Sequence, residues 1–103
     1  MPAETPAGLV GVGLMGTSIA ACLLIAGHTV AAVEVDAPKR RRARSAVLAL
    51  LEGARKEKLL RGDPAKVIQR LAVSGDYSAL AGSRIVIEST VEDLPTKRQV
   101  IGN

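Results

Sequence analysis

The chain has 103 residues, nearly half of them apolar and under a quarter charged, which leaves room for one domain and excludes a disordered polypeptide. No apolar run approaches the roughly 18 residues of a membrane-spanning helix. The net charge of +4 favours anionic partners, yet Tyr77 is the only aromatic residue and no zinc-finger spacing or RNA-binding signature occurs, so nucleic acid is set aside.

In chain order, Met1 to Ala7 holds two prolines and no periodicity, and reads as a frayed leader before a domain spanning 8–103. It lacks the basic and apolar regions of a signal peptide, and the lone Cys22 permits no internal disulfide, so a cytoplasmic protein is expected. From Gly8 a short apolar strand breaks into glycines, and a helix follows whose expected apolar face is Met15, Ile19, Cys22, Leu23 and Ala26. Gly27 should cap that helix. Thr29 to Val35 is Val-rich and apolar until Glu34, as a parallel strand covered on both faces would be. After Asp36 and Pro38 the spacing predicts a long amphipathic helix with Ala43, Val47, Leu50, Leu51 and Ala54 inward, closed by Gly62. Its basic run, Lys39 to Arg44, reads as a solvated helix face. Asp63 and Pro64 start a second helix as cap and first residue, with Val67, Ile68 and Leu71 as its apolar side. A strand over 71–73, a helical turn over 78–81, a buried strand over 84–90 and a helix over 92–100 complete the expected order.

The spacing Gly11-x-Gly13-x-x-Gly16 follows a strand and opens a helix, the setting in which this motif cradles a pyrophosphate. The first glycine permits the turn, the second close approach of a ligand, and the third helix-strand packing. Backbone N–H groups across Gly11, Val12, Gly13, Leu14, Met15 and Gly16, with the positive end of the helix dipole, would hold the phosphates. Glu34 lies roughly 20 residues on, at the end of the second strand, where a carboxylate accepts hydrogen bonds from the adenosine ribose and repels a 2′-phosphate. NAD is therefore expected over NADP, although Lys39 and Arg40 lie near enough to leave the choice open. Asp36 reads better as a turn or cap residue than as a ligand contact. No cluster of metal ligands is visible, and Cys22 is expected to be a buried small hydrophobe.

These residues, with V-G-L-M-G-T-S-I-A at 12–20, A-G-H-T-V at 26–30 and I-V-I-E-S-T-V-E-D-L-P-T-K at 85–97, resemble the N-terminal NAD-binding region of the 3-hydroxyacyl-CoA dehydrogenase family. The resemblance implies an α/β fold: a Rossmann-type parallel sheet of about four strands with a helical hairpin inserted after the second. About 35 residues separate Glu34 from the next strand, where a simple crossover needs one helix. By the same resemblance, Glu92 and Lys97 line the cofactor site near the nicotinamide. The hairpin is implied to contribute to the CoA side of the active site. Leu50, Lys56 and Lys58 are its candidates, although the family often has serine where this chain has Leu50, and the lysine register stays open.

The implied chemistry oxidises a 3-hydroxyacyl-CoA by hydride transfer to NAD while a His–Glu pair removes the hydroxyl proton. No catalytic residue is assigned within the chain. The sole histidine, His28, precedes the second strand and so stands at the N-terminal edge of the sheet, whereas ligands of open α/β sheets bind at the C-terminal edge. His28 is expected to be a turn residue. The pair is expected beyond Asn103, together with later strands and a helical domain supplying substrate and homodimer contacts. The chain alone is accordingly expected to be inactive and to present an apolar sheet edge. Two rivals remain: a 3-hydroxyisobutyrate or 6-phosphogluconate dehydrogenase type of domain, and a stand-alone NAD-binding module without catalysis.

Overall fold

A computed structural model describes residues 5–89 as four short parallel strands with helices on one face. Strand β1 (Pro6–Val10) leads to α1 (Leu14–Ile25), and β2 (Thr29–Val33) leads to α2 (Ala37–Lys56). Then α3 (Pro64–Val67) runs into a 3-10 turn (Ile68–Arg70) and β3 (Leu71–Ser74). A second 3-10 turn (Tyr77–Leu80) connects to β4 (Ile85–Glu88). The strand order is β3-β2-β1-β4, so the chain steps outward twice and then crosses back past β1. In parallel register Val10 pairs with Val33 and with Glu88, and Val33 pairs with Ser74. All four strands thus end at one level, and the residues just after them share one sheet edge.

Right-handed crossovers put α1 and α2 on the same face. The core between them and the sheet is aliphatic: Leu9, Leu24, Leu51, Val30 and Val47 are all fully buried. Behind β1 the segment after β3 packs closely, because a Cβ on Gly8 would stand 2.8 Å from Ser83 Oγ and 2.9 Å from a methyl of Leu80. Two arginines of the basic run staple α2 to the sheet. Arg40 donates to the carbonyl of Glu34 at 2.7 Å, and Arg44 donates to that of Leu71 at 3.0 Å.

Several expectations need correction. Thr5 is buried and β1 begins at Pro6, so the first strand starts before the Gly8 expected for it; proline is tolerated as the first residue of a strand. The buried face of α1 is Gly16, Thr17, Ala20, Ala21 and Leu24, which leaves Met15 61% exposed and Cys22 exposed as well. Strand β2 ends at Val33, and Val35 faces solvent. Helix α2 buries Ala43, Val47, Leu51 and Ala54 as expected but leaves Leu50 exposed. It also stops at Lys56 rather than near Gly62. There Leu59 N–H reaches the Ala54 carbonyl at 2.8 Å and Lys58 N–H reaches that of Arg55 at 3.0 Å. These are the two bonds of a Schellman cap, with Lys58 at φ 64 where glycine is usual. Asp63 and Pro64 do open a helix, but the hairpin's second arm is a single helical turn followed by a 3-10 turn. Strand β4 is not buried: Val86 is 50% exposed, and among the described residues β4 pairs only with β1. The expected helix over 92–100 lies outside the described residues.

Candidate functional site

The strand order reverses between β1 and β4, and ligands of this architecture usually bind in the crevice at the C-terminal ends of such strands. Three glycines stand there for three different reasons. Gly11 has φ 91, a conformation that strains any side chain, and its N–H closes the turn onto the Val33 carbonyl at 2.8 Å. At Gly16 a Cβ would collide with the Gly11 carbonyl oxygen and lie 2.8 Å from Ser89 Oγ, so helix and turn meet only because no side chain intervenes. Gly13 is the N-cap of α1 at φ −69 and ψ −162, an extended conformation open to most residues.

No side chain caps α1, and its first turn contains no acidic residue. The first helical N–H groups, on Leu14, Met15 and Gly16, have no partner within the helix. They bring the positive end of the helix dipole to the crevice. Val12 differs from the reading that placed its N–H on the phosphates, because that N–H donates to Glu34 Oε1 at 3.1 Å. The other carboxylate oxygen of Glu34 accepts from Asp36 N–H at 3.0 Å, and the side chain is buried. Glu34 therefore fixes the glycine turn to the end of β2. A carboxylate has about four lone-pair positions, so two more hydroxyl donors can be accommodated.

Asp36 caps α2, accepting from Lys39 N–H at 3.2 Å. Arg40 is tied to the backbone of Glu34, whereas Lys39 stays exposed at the rim of the cleft. Leu50, Lys56 and Lys58 lie far from this edge: α2 has 20 residues, so Lys56 stands about 30 Å from the end that carries Asp36. His28 is more than a turn residue. It is buried at the opposite sheet edge, its N–H donates to Leu23, and its Nδ1 has no hydrogen-bond partner among the described residues. The five residues of β2 lie between it and Glu34, six steps that span about 20 Å. Glu92 and Lys97 lie outside the described residues. Among those described, no group of His, Cys, Asp or Glu is placed to hold a metal ion, and no helix is long and apolar enough to cross a membrane.

Two residues at this edge carry no signal in the glycine motif. Ser89 follows β4 and is buried; its hydroxyl lies 2.9 Å from the Gly11 carbonyl and 3.1 Å from that of Val10, with one proton to offer the two. Its N–H also donates to Val10 at 2.8 Å, so β4 braces the glycine turn from the side opposite Glu34. Tyr77 lines a small cleft with Gly11, Gly13, Val33, Glu34 and Val35. The turn that carries it is capped by Asp76, which accepts from Ser78 N–H at 2.9 Å. This bond from the Ser78 backbone, with a further one from its side chain, holds the Asp76 carboxyl below the usual carboxylate range.

A parallel sheet in the order β3-β2-β1-β4, a glycine turn feeding an uncapped helix and a buried carboxylate after β2 define a dinucleotide-binding domain. Comparison with known proteins narrows the class. The family described as 3-hydroxyacyl-CoA dehydrogenase, NAD binding domain, matches residues 6–103, and the chain belongs to it. NAD is its cofactor, and the 3-hydroxyisobutyrate dehydrogenase alternative falls away. Among curated proteins, a peroxisomal fatty acid beta-oxidation multifunctional protein of Oryza sativa subsp. japonica is 32% identical over 96 residues, covering 92% of this chain and 13% of its own. Among solved structures, (S)-3-hydroxybutyryl-CoA dehydrogenase of Ralstonia eutropha is 29% identical with a TM-score of 0.76, over 96% of this chain and 35% of that one. The Escherichia coli 3-hydroxybutyryl-CoA dehydrogenase is also 29% identical, with a TM-score of 0.73 over 97% of this chain and 21% of that one. The chain thus spans about a third or less of each of these relatives.

Proposed function

We propose that the turn from Gly11 to Gly16 holds the pyrophosphate of NAD, that Glu34 accepts the adenosine ribose hydroxyls, and that the domain serves oxidation of a 3-hydroxyacyl-CoA to the 3-oxoacyl-CoA. The observation that carries this reading is Gly13. The fold accounts for Gly11 by its φ of 91 and for Gly16 by contact with Gly11, but the backbone at Gly13 asks for no glycine. Close approach of a ligand supplies the missing reason. The Leu14, Met15 and Gly16 N–H groups offer the donors, and Val12 contributes through its hold on Glu34.

When bound, NAD supplies the hydride-accepting ring. The chain's own residues bind and orient: Ser89 and Glu34 clamp the turn from both sides, so its donors are in place before the ligand arrives. Glu92 and Lys97 are proposed at the nicotinamide end by family resemblance. Leu50, Lys56 and Lys58 are proposed contacts for CoA, a role their exposure permits. A cytoplasmic location rests on a cysteine content that allows no internal disulfide, and the rice relative is named as peroxisomal.

The test of the cofactor assignment is calorimetric titration with NADH and with NADPH. NADH should bind tighter by about tenfold or more, since hydrogen bonds to a charged group contribute about 1.5–3 kcal/mol. Glu34→Ser should narrow the gap. Equal affinity for the two cofactors in the unmodified chain would remove Glu34 from the ribose site.

A further inference from the structure

The two outer edges of the sheet are finished differently. Strand β3 bonds to β2 through the Ser74 carbonyl, which accepts from Glu34 N–H, so by the alternation of backbone groups along a strand Leu71 points to the outer edge. There its carbonyl accepts from Arg44 Nη1 at 3.0 Å, and a basic side chain lies along the edge. Charge of this kind guards an edge strand against pairing with another chain. Strand β4, at the other edge, has no such guard. Ser89 N–H bonds to Val10, so by the same alternation the backbone groups of Ile85 and Ile87 face β1 while those of Val86 and Glu88 point outward. Among the described residues no strand takes them. The side chains along this edge are apolar and open, with Ile85 43% and Val86 50% exposed.

Outward from Val86 the sequence is its own complement. Residues 84–88 read Arg-Ile-Val-Ile-Glu, apolar in the middle with opposite charges at the two ends. We infer that two copies of this chain associate edge to edge through β4, antiparallel about a two-fold axis at Val86, and so join their sheets into one. In that arrangement Val86 lies opposite Val86, Ile85 opposite Ile87, and Arg84 opposite Glu88 twice. The backbone agrees with the axis. Because Val86 points outward, the two copies of it can exchange N–H to carbonyl hydrogen bonds. Side chains at 84, 86 and 88 share one face of the strand, so each pair of opposite charges flanks the valine contact. Opposite charges across a strand pair stabilise it, and like charges destabilise it. Any other antiparallel register loses both charge pairs. No ion pair among the described residues engages Arg84 or Glu88, and both are exposed. The net charge of +4 opposes association in general, yet this edge carries one charge of each sign. A contact that uses the same patch on both copies closes at two.

Charge reversal tests both the partner and the register. Sedimentation equilibrium of the 103-residue chain should show monomer and dimer in exchange. Arg84→Glu should weaken the dimer by about tenfold or more, since both charge pairs become repulsive, and Glu88→Arg should do the same. The chain carrying both changes has its charges opposed again and should return to within about threefold of the original. Mixing the two single variants should give a dimer with one copy of each, which also shows that each has folded. In hydrogen exchange the Val86 amide should gain protection as the concentration rises. A chain that stays monomeric up to about 1 mM would overturn the inference. So would a dimer indifferent to both reversals, which must use another face, or single variants that fail to pair when mixed. A Val86 amide already protected in the monomer would mean that the chain covers its own edge, and would overturn it as well.

Discussion

Helices α1 and α2 lie side by side on the same face of the sheet, yet they are held there by different means. Helix α2 buries its apolar stripe, with Ala43, Val47, Leu51 and Ala54 inward and charged residues outward. Helix α1 is apolar almost all round and buries its smaller residues instead: Gly16, Thr17, Ala20, Ala21 and Leu24. The reason is its start. Contact between Gly16 and the Gly11 carbonyl sets the helix rotation, and Ala20 and Leu24 follow at four-residue steps on the same face. Where a helix is anchored to a ligand-binding turn, the approach at that turn outranks the hydrophobic pattern in choosing the buried face.

Breaking that anchor should have the largest effect. Gly16→Ala sets a methyl group against backbone that cannot swing aside, so a loss of about 3 kcal/mol or more is expected in urea unfolding, at the top of the overpacking range. A stability change below 1 kcal/mol would mean that the turn yields and the rotation of α1 is set elsewhere. Next in size, Leu24→Ala should cost about 2–5 kcal/mol as a fully buried leucine, while Met15→Ala should stay within about 0.5 kcal/mol. Reversal of that order in thermal melts would restore the face predicted from the large side chains.

The ends of the two helices sharpen the same comparison. Both close with paired Schellman bonds: His28 N–H to Leu23 and Gly27 N–H to Leu24 in α1, Leu59 N–H to Ala54 and Lys58 N–H to Arg55 in α2. Gly27 at φ 99 adopts its conformation freely, while Lys58 at φ 64 pays for a left-handed one. Lys58→Gly should therefore raise stability by about 0.5–1 kcal/mol. A decrease would show that the lysine side chain contributes more to the cap than its backbone strain costs.

These particulars explain what could be read from the sequence. The glycine turn, Glu34, the Asp36 and Asp63 caps and the succession of strands and helices follow from local rules: fixed spacing, small capping side chains and runs of β-branched residues. The face of α1 was not legible from periodicity, because a helix apolar on every side offers no contrast; the glycine motif's own third position held the answer. The end of α2 was hidden because lysine occupies a position where only glycine announces itself. Ser89 and Tyr77 escaped because they reach the cleft through the sheet register, which brings the ends of β4 and β3 level with those of β1 and β2. Long-range register leaves little trace in a local pattern. The double use of Glu34 also needed coordinates, since nothing in its spacing says that it holds Val12 as well.

The most direct test of the central claim is a calorimetric titration of NADH into the original chain and into Gly13→Val. At φ −69 the backbone at this position does not require glycine, and an unchanged circular dichroism spectrum would show that the valine leaves the fold intact, so that the titration reads the space a pyrophosphate needs. The account predicts measurable NADH binding in the original chain, reduced at least about a hundredfold by the valine, the equivalent of about 2.7 kcal/mol. A folded Gly13→Val chain that binds NADH as tightly as the original would contradict it.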